Sequence, residues 1–204
     1  MSGGNLFVIA APSGAGKTSL VQALMAADPR LQFSVSHTTR RPRPGEENGR
    51  DYHFIDEDAF RRMVSECAFL EHAEVFGRSY GTSRAAVEER LTAGEDVILE
   101  IDWQGARQIR ALVPACISIF ILPPSRGELE RRLRGRATDA PDAIEQRLAL
   151  AVAEMRHYGE FEYLVVNDRF DEALSDLQAI VRAARCRTDR QAAFRSAWLN
   201  DLLA

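Results

Sequence analysis

The residues with the plainest chemistry are Lys17 and Thr18, which close the run Ala11-Pro12-Ser13-Gly14-Ala15-Gly16-Lys17-Thr18. An apolar stretch from Leu6 to Ala10 precedes the run, and a helical pattern from Ser19 to Ala27 follows it. A strand, a glycine-rich turn and a helix start together hold polyphosphate. Glycines let backbone N–H groups turn toward oxygens, the helix N-terminus adds its positive end, lysine spans the outer phosphates and a threonine hydroxyl ligates Mg²⁺. Of the 26 lysine and arginine residues only Lys17 is a lysine. A compact ammonium on a flexible stem enters between phosphates more readily than a planar fork does. The general pattern wants glycine where this chain has Ala11; that position ends the strand and tolerates a methyl group if its φ is negative.

Charged groups elsewhere fall into three sets. Glu100 and Asp102 stand two apart at the end of the apolar stretch that begins at Val97, so both leave the same side of a strand's carboxyl end. Asp102 is then a partner of Thr18 in a Mg²⁺ shell, through water, or a contact to the nucleotide. Its structural alternative is a buried acid paired with a neighbouring arginine. Arg132 and Arg136 are four apart in an arginine-rich run, on one helical face if the helix persists that far. The stretch from His37 to Asp51 is almost wholly polar, with Arg40, Arg41, Arg43 and Arg50 among prolines and glycines; it is either a surface loop or a site.

Other chemistries are poorly represented. His37, His53, His72 and His157 show no metal-protease spacing, and no Gly-x-Ser-x-Gly elbow occurs. Cys67, Cys116 and Cys186 are odd in number and lack the paired spacing of a zinc site or disulfide framework, which favours a reducing compartment. A formal net charge of −4 argues against a general nucleic-acid binder. No apolar run reaches the length of a membrane span and the start lacks the regions of a signal peptide, so the expected location is the cytoplasm.

The elements that must position these groups alternate. After the first helix, Phe33 to Ser36 reads as a short buried strand. Tyr52 to Ile55 is a second, Asp56 caps a helix reaching Glu66, and Ala68 to Phe76 alternates as a strand. Gly77 to Ser83 reads as a turn-rich break before a helix from Arg84 to Ala93. The segment 36–83 thus reads as an inserted subdomain. Strands from Val97, from Ile117 to Leu122 and from Tyr163 to Val166 alternate with helices from Gln104 to Leu112, from Ser125 to about Gly135, from Ile144 to Met155 and from Ala173 to Ala184. Arg136 to Asp142 is a polar bridge of lid character. Such alternation implies an α/β fold with a parallel sheet, helices on both faces and ligand at the strands' carboxyl ends. In the tail, Phe194, Trp198 and Leu202 recur every four residues, a stripe that either packs on its own domain or contacts another subunit.

The stretch Phe33-Ser34-Val35-Ser36-His37-Thr38-Thr39-Arg40-Arg41-Pro42-Arg43-Pro44-Gly45-Glu46 resembles the signature of guanylate kinases. The resemblance continues collinearly through Tyr52, Glu71, Tyr80-Gly81-Thr82, Ile101-Asp102, the arginine-rich helix and Val166-Asn167-Asp168, and stops near Arg187. It implies a single domain over 1–204 of the P-loop NTPase type. The core would be 1–35 and 84–187, the GMP-binding insertion 36–83, the lid about 125–147 and a helical tail 188–204. It implies transfer of the γ-phosphoryl group of Mg·ATP to GMP, and to dGMP, giving ADP and GDP in purine nucleotide metabolism. ATP would lie on residues 11–19 (Ala11, Pro12, Ser13, Gly14, Ala15, Gly16, Lys17, Thr18 and Ser19), with Arg136 and Asn167 flanking adenine. GMP would contact Ser36, Arg40, Arg43, Tyr52, Glu71, Tyr80, Thr82, Glu100 and Asp102. Lys17, Arg132, Arg136 and Arg147 would serve the transferring phosphates.

The chemistry of these residue types agrees. Arg40 and Arg43 present forked donors to a phosphate dianion, with the hydroxyls of Tyr52 and Tyr80 as neutral additions. Guanine displays N1–H and N2–H₂ side by side, so one carboxylate accepts both, whereas adenine turns an acceptor toward it. Glu71 fills that role in the family. Glu100 departs modestly from relatives that carry aspartate there. Two rivals remain: a scaffold domain of similar fold that binds peptides without catalysis, and a kinase acting on a sugar phosphate. The first would lack a working phosphate loop and the second the set Ser36, Glu71 and Thr82.

Overall fold

Five consecutive apolar residues, Leu6–Ala10, form strand β1, and all five are buried. A run apolar on both faces belongs inside a parallel sheet with helices on both sides. That is its place in the computed structural model, which describes residues 3–75, 77–135 and 141–204. In chain order there follow α1 (Lys17–Ala27), β2 (Leu31–Phe33), β3 (His37–Thr38), β4 (His53–Phe54), α2 (Glu57–Ser65), β5 (Phe69–Val75), β6 (Arg78–Ser83) and α3 (Arg84–Thr92). Then come β7 (Asp96–Glu100), α4 (Trp103–Leu112), β8 (Ile117–Leu122), α5 (Arg126–Arg134), α6 (Pro141–Met155), β9 (Tyr163–Val166), α7 (Phe170–Arg185), α8 (Thr188–Phe194) and α9 (Ser196–Leu203).

The main sheet has the order β2-β7-β1-β8-β9 and is parallel throughout. Successive β1 side chains leave opposite faces. Phe7 and Ile9 enter a cluster with Leu20, Leu24, Leu177 and Val181 of α1 and α7. Leu6 and Val8 enter another with Val87, Ala106 and Ile109 of α3 and α4. Both helix layers therefore grip the strand that ends in the phosphate loop, which fixes the loop on the most buried element of the chain. At the far end of the sheet, Arg185 of α7 bridges Asp28 and Asp96, with Nε 2.6 Å from Asp96 Oδ2.

A second, four-stranded sheet, β4-β3-β6-β5, is formed by the segment expected to be inserted. Two details differ from the sequence reading. The short strand expected at Phe33–Ser36 divides, β2 ending at Phe33 and β3 starting at His37, because the chain crosses from one sheet to the other between them. Residues 78–83, expected as a break, form β6, paired on both sides with β3 and β5. Its pattern is not that of an apolar strand for a local reason: the Phe69 ring occupies the space over Gly81, where a Cβ would come within 2.9 Å of it.

No residue of α8 or α9 is buried, and Phe194, Trp198, Leu202 and Leu203 are exposed, so the tail stripe is not covered by its own domain. Among the described residues no helix is long and apolar enough to cross a membrane.

Candidate active site

The phosphate loop owes its shape to Gly14 and Gly16, whose φ values of 90° and 92° are left-handed. A Cβ on Gly16 would also lie 2.4 Å from Nδ2 of Asn167, a buried residue that donates to the Ala15 carbonyl at 2.7 Å. No side chain caps α1 and no acid stands in its first turn, which leaves the helix's first N–H groups for an anion. Among the described residues only Cys67 combines a side chain with positive φ, so Ala11 sits without backbone strain where the general pattern has glycine.

Beside the loop lies the end of β7, the strand paired with β1. Lys17 Nζ donates to the Ile101 carbonyl at 2.9 Å, and Thr18 Oγ1 donates to Glu100 Oε1 at 2.5 Å. The sequence reading places Asp102 with Thr18 in a Mg²⁺ shell, through water, or against the nucleotide. Here the longer Glu100 reaches the hydroxyl, while Asp102 caps α4, accepting from Gly105 N at 2.9 Å and Gln104 Nε2 at 3.0 Å. A hydroxyl and two carboxylates beside a phosphate loop are hard oxygen donors of the kind Mg²⁺ takes together with substrate phosphates and water.

The second sheet supplies the other wall. Glu71 is buried, 4% exposed, and its Oε1 accepts the Thr82 hydroxyl at 2.6 Å. Burial pushes its carboxyl up to about 7, with the Asp102 charge adding and the Thr82 bond opposing. Arg40 is held in a forked pair by Glu46, both distances 2.9 Å, and Glu46 also accepts the Arg43 N–H at 2.7 Å. That pairing holds the Glu46 carboxyl below its ordinary range and raises Arg40. The Arg40 guanidinium stands 5.3 Å from the Tyr52 ring centre, and Tyr52 meets Tyr80 edge-on at 5.9 Å.

One open cavity of about 300 Å³ brings the halves together. The phosphate loop apart from the buried Ala15, together with Ser36, Arg43, Tyr52, Glu71, Tyr80, Glu100 and Asp102, lines it. Thr82, fully buried, stands behind Glu71, and Arg40 stands behind Tyr52; neither lines the cavity.

Of the arginines expected in a lid, Arg132 donates to the carbonyls of Asn167 at 3.1 Å and Ala15 at 3.4 Å and pairs with Glu128. Arg131 and Arg134 face solvent, each paired with an acid one turn earlier. Arg147 is half-buried on α6, and Arg136 lies outside the described residues.

Sequence reasoning missed Glu154, which lines the cavity from α6 and accepts the Ser13 N–H at 3.1 Å. Burial raises its carboxyl, the Ser13 bond and the Lys17 charge opposing. The signal was present: Arg147 and Glu154 are seven apart, one above the other on a helix face. Glu46, Gly105 and Gln108 were missed too. Nothing in their spacing distinguishes them from surface polar residues.

A parallel sheet ending in a glycine loop, with a lysine, a hydroxyl–carboxylate pair and a second wall carrying Arg43, Tyr52 and Glu71 in one cleft, defines a P-loop phosphotransferase. Comparison with known proteins narrows the class. The sequence model of the guanylate kinase family matches residues 3–184. The guanylate kinase of Alkalilimnicola ehrlichii is 60% identical over 98% of both chains, and that of Escherichia coli is 57% identical over 100% of both, the tail included. The crystal structure of guanylate kinase from Anaplasma phagocytophilum superposes with a TM-score of 0.78 at 34% identity, over 92% of this chain and 89% of that one. The chain belongs to the guanylate kinase family, and its activity is that family's.

Proposed function

We propose that the two walls of the cleft take Mg·ATP and GMP, or dGMP, together, and that the γ-phosphoryl group passes between them to give ADP and GDP. The observation that carries this reading is the single cavity lined by both the phosphate loop and the Glu71 pocket. Residues 11–19 cradle the ATP phosphates, Lys17 leaving the Ile101 carbonyl for them. Glu71 accepts the N1–H and N2–H₂ donors of guanine. Ser36, Arg43, Tyr52 and Tyr80 hold the rest of the acceptor, with Thr82 and Arg40 fixing Glu71 and Tyr52 from behind.

Thr18 with Glu100, and Asp102 through water, would hold Mg²⁺, which when bound neutralises phosphate charge. The acceptor phosphate, with a second pKa of about 6, is already ionised at neutral pH, so no general base is needed. Positioning and charge remain, and an arginine on the transferring group is worth roughly 10³ to 10⁵ in rate in well-studied cases. Arg132, Arg136 and Arg147 supply it. Asn167 shapes the loop from beneath as well as bordering the adenine site. In domain terms, 36–83 is the acceptor insertion and about 125–147 the lid of one domain, whose core is 1–35 and 84–187 and whose tail is 188–204. Three free cysteines among the described residues suit the cytoplasm.

Calorimetry tests the reading. One GMP and one non-hydrolysable Mg·ATP analogue should bind per chain, each without displacing the other. Mutual exclusion of the two would overturn it.

A further inference from the structure

Strand β5 is an edge of the second sheet, so the backbone groups on its outer side have no strand to pair with. At His72 a single side chain takes both. Gln108 of α4 accepts the His72 N–H on Oε1 at 3.2 Å and donates from Nε2 to the His72 carbonyl at 2.7 Å. This is the exchange a neighbouring strand would make. One turn earlier, Gln104 Nε2 stands 3.5 Å from the Glu74 carbonyl. Helix α4 therefore completes the edge of the strand that carries Glu71.

The same helix meets the Glu71 side chain. Gly105 is buried, and a Cβ on it would lie 2.3 Å from Glu71 Oε2 and 3.0 Å from its Cδ. The Gly105 N–H is already given to Asp102, so what Gly105 offers the carboxylate is room. On the opposite side Oε1 holds the Thr82 hydroxyl. A register shift between Phe69 and Glu71 leaves Leu70 as an extra residue, and Leu70 packs in the same cluster as Ala106 and Ile109 of α4. Bulges of this kind re-aim the side chain beside them.

We propose that α4 positions the guanine-reading carboxylate, with Gly105 leaving the space in which Glu71 lies and Gln108 holding the strand that carries it. The inference rests on Glu71 reading guanine. Neither residue lines the cavity, and both act through Glu71. Asp102, which caps this helix, does line it, so one helical turn joins the base pocket to the carboxylate end of β7.

Gly105→Ala is the first test. Alanine is the better helix former, so the helix itself gains while the methyl group must push the carboxylate aside. The KM for GMP should rise at least about tenfold, since misplacement by about 1 Å costs up to about 10². The KM for ATP should stay unchanged, and kcat should stay within a factor of about three. The preference for GMP over AMP should fall in step. Gln108→Leu keeps the bulk and removes the amide; it should raise the KM for GMP roughly threefold, the scale of one net hydrogen bond, and speed hydrogen exchange at the His72 amide.

Glu71→Gln runs alongside. If that variant keeps the wild-type preference for GMP over AMP, the reading of Glu71 itself falls. If it loses the preference while Gly105→Ala keeps the wild-type KM for GMP, the positioning role of α4 is overturned. Should Gly105→Ala fail to fold, an unchanged KM for GMP in Gln108→Leu overturns it equally.

Discussion

Lowering the pH from about 8 to about 6 should cost the enzyme about tenfold in its preference for GMP over AMP, because Glu71 loses its charge in that interval. Burial places the Glu71 carboxyl at about 7 in the free protein. The ionised fraction then drops from about nine-tenths to about one-tenth across the interval. An ionised carboxylate accepts both guanine donors, whereas a protonated one offers an O–H that suits the N1 acceptor of adenine. The substrate phosphate also titrates, with a second pKa of about 6, but it does so in both nucleotides and cancels in the ratio. The measurement is kcat/KM for each acceptor by coupled ADP release, which reports the free enzyme's groups. Glu71→Gln should flatten the pH dependence. A wild-type ratio constant over this range would refute the reasoning.

The same shift has a stability consequence of opposite sense to that of most carboxylates. The folded pKa lies above the ordinary value of 4.5, so the folded state binds more protons than the unfolded one between about 4.5 and 7. Stability contributed through Glu71 is therefore present below that window and lost as pH rises through it. Glu71→Gln should be more stable than wild type at pH 8, by at most about 3 kcal/mol, and the gain should vanish near pH 4. Denaturant unfolding at both pH values reads the difference directly.

Further outcomes follow from other contacts. Lys17→Ala should abolish turnover while leaving GMP affinity, measured by calorimetry, within about twofold. Asn167→Ala removes the 2.7 Å bond to the Ala15 carbonyl and should cost about 1 kcal/mol in thermal unfolding, with a raised KM for ATP. Arg185→Met leaves Asp96 without its cation and Asp28 with Arg30 alone; urea unfolding should show a loss of up to about 3 kcal/mol with kcat unchanged.

What could be read from the sequence was whatever rests on local chemistry. The phosphate loop was legible because glycine, lysine and threonine stand at fixed spacing between a strand and a helix, and the structure gives Gly14 and Gly16 the positive φ that such a turn needs. The centre of the main sheet was legible because β1, β7 and β8 are apolar runs buried on both faces. Strand β6 was not, since its Gly81 is dictated by the Phe69 ring across the sheet. Nor was the direct hydrogen-bond partner of Thr18: two carboxylates two residues apart share a face, and which one reaches the hydroxyl depends on side-chain length and on the demand of α4 for a cap. Glu46 and Gln108 matter through neighbours distant in sequence or in the turn of a loop, where composition gives no sign.

The most direct measurement is ADP release from Mg·ATP with GMP, dGMP, AMP, UMP and ribose phosphates as acceptors in parallel. Turnover with GMP and dGMP, and with AMP and UMP lower by orders of magnitude, is the predicted result. Release of ADP with none of them, or equally with AMP and GMP, would contradict the account.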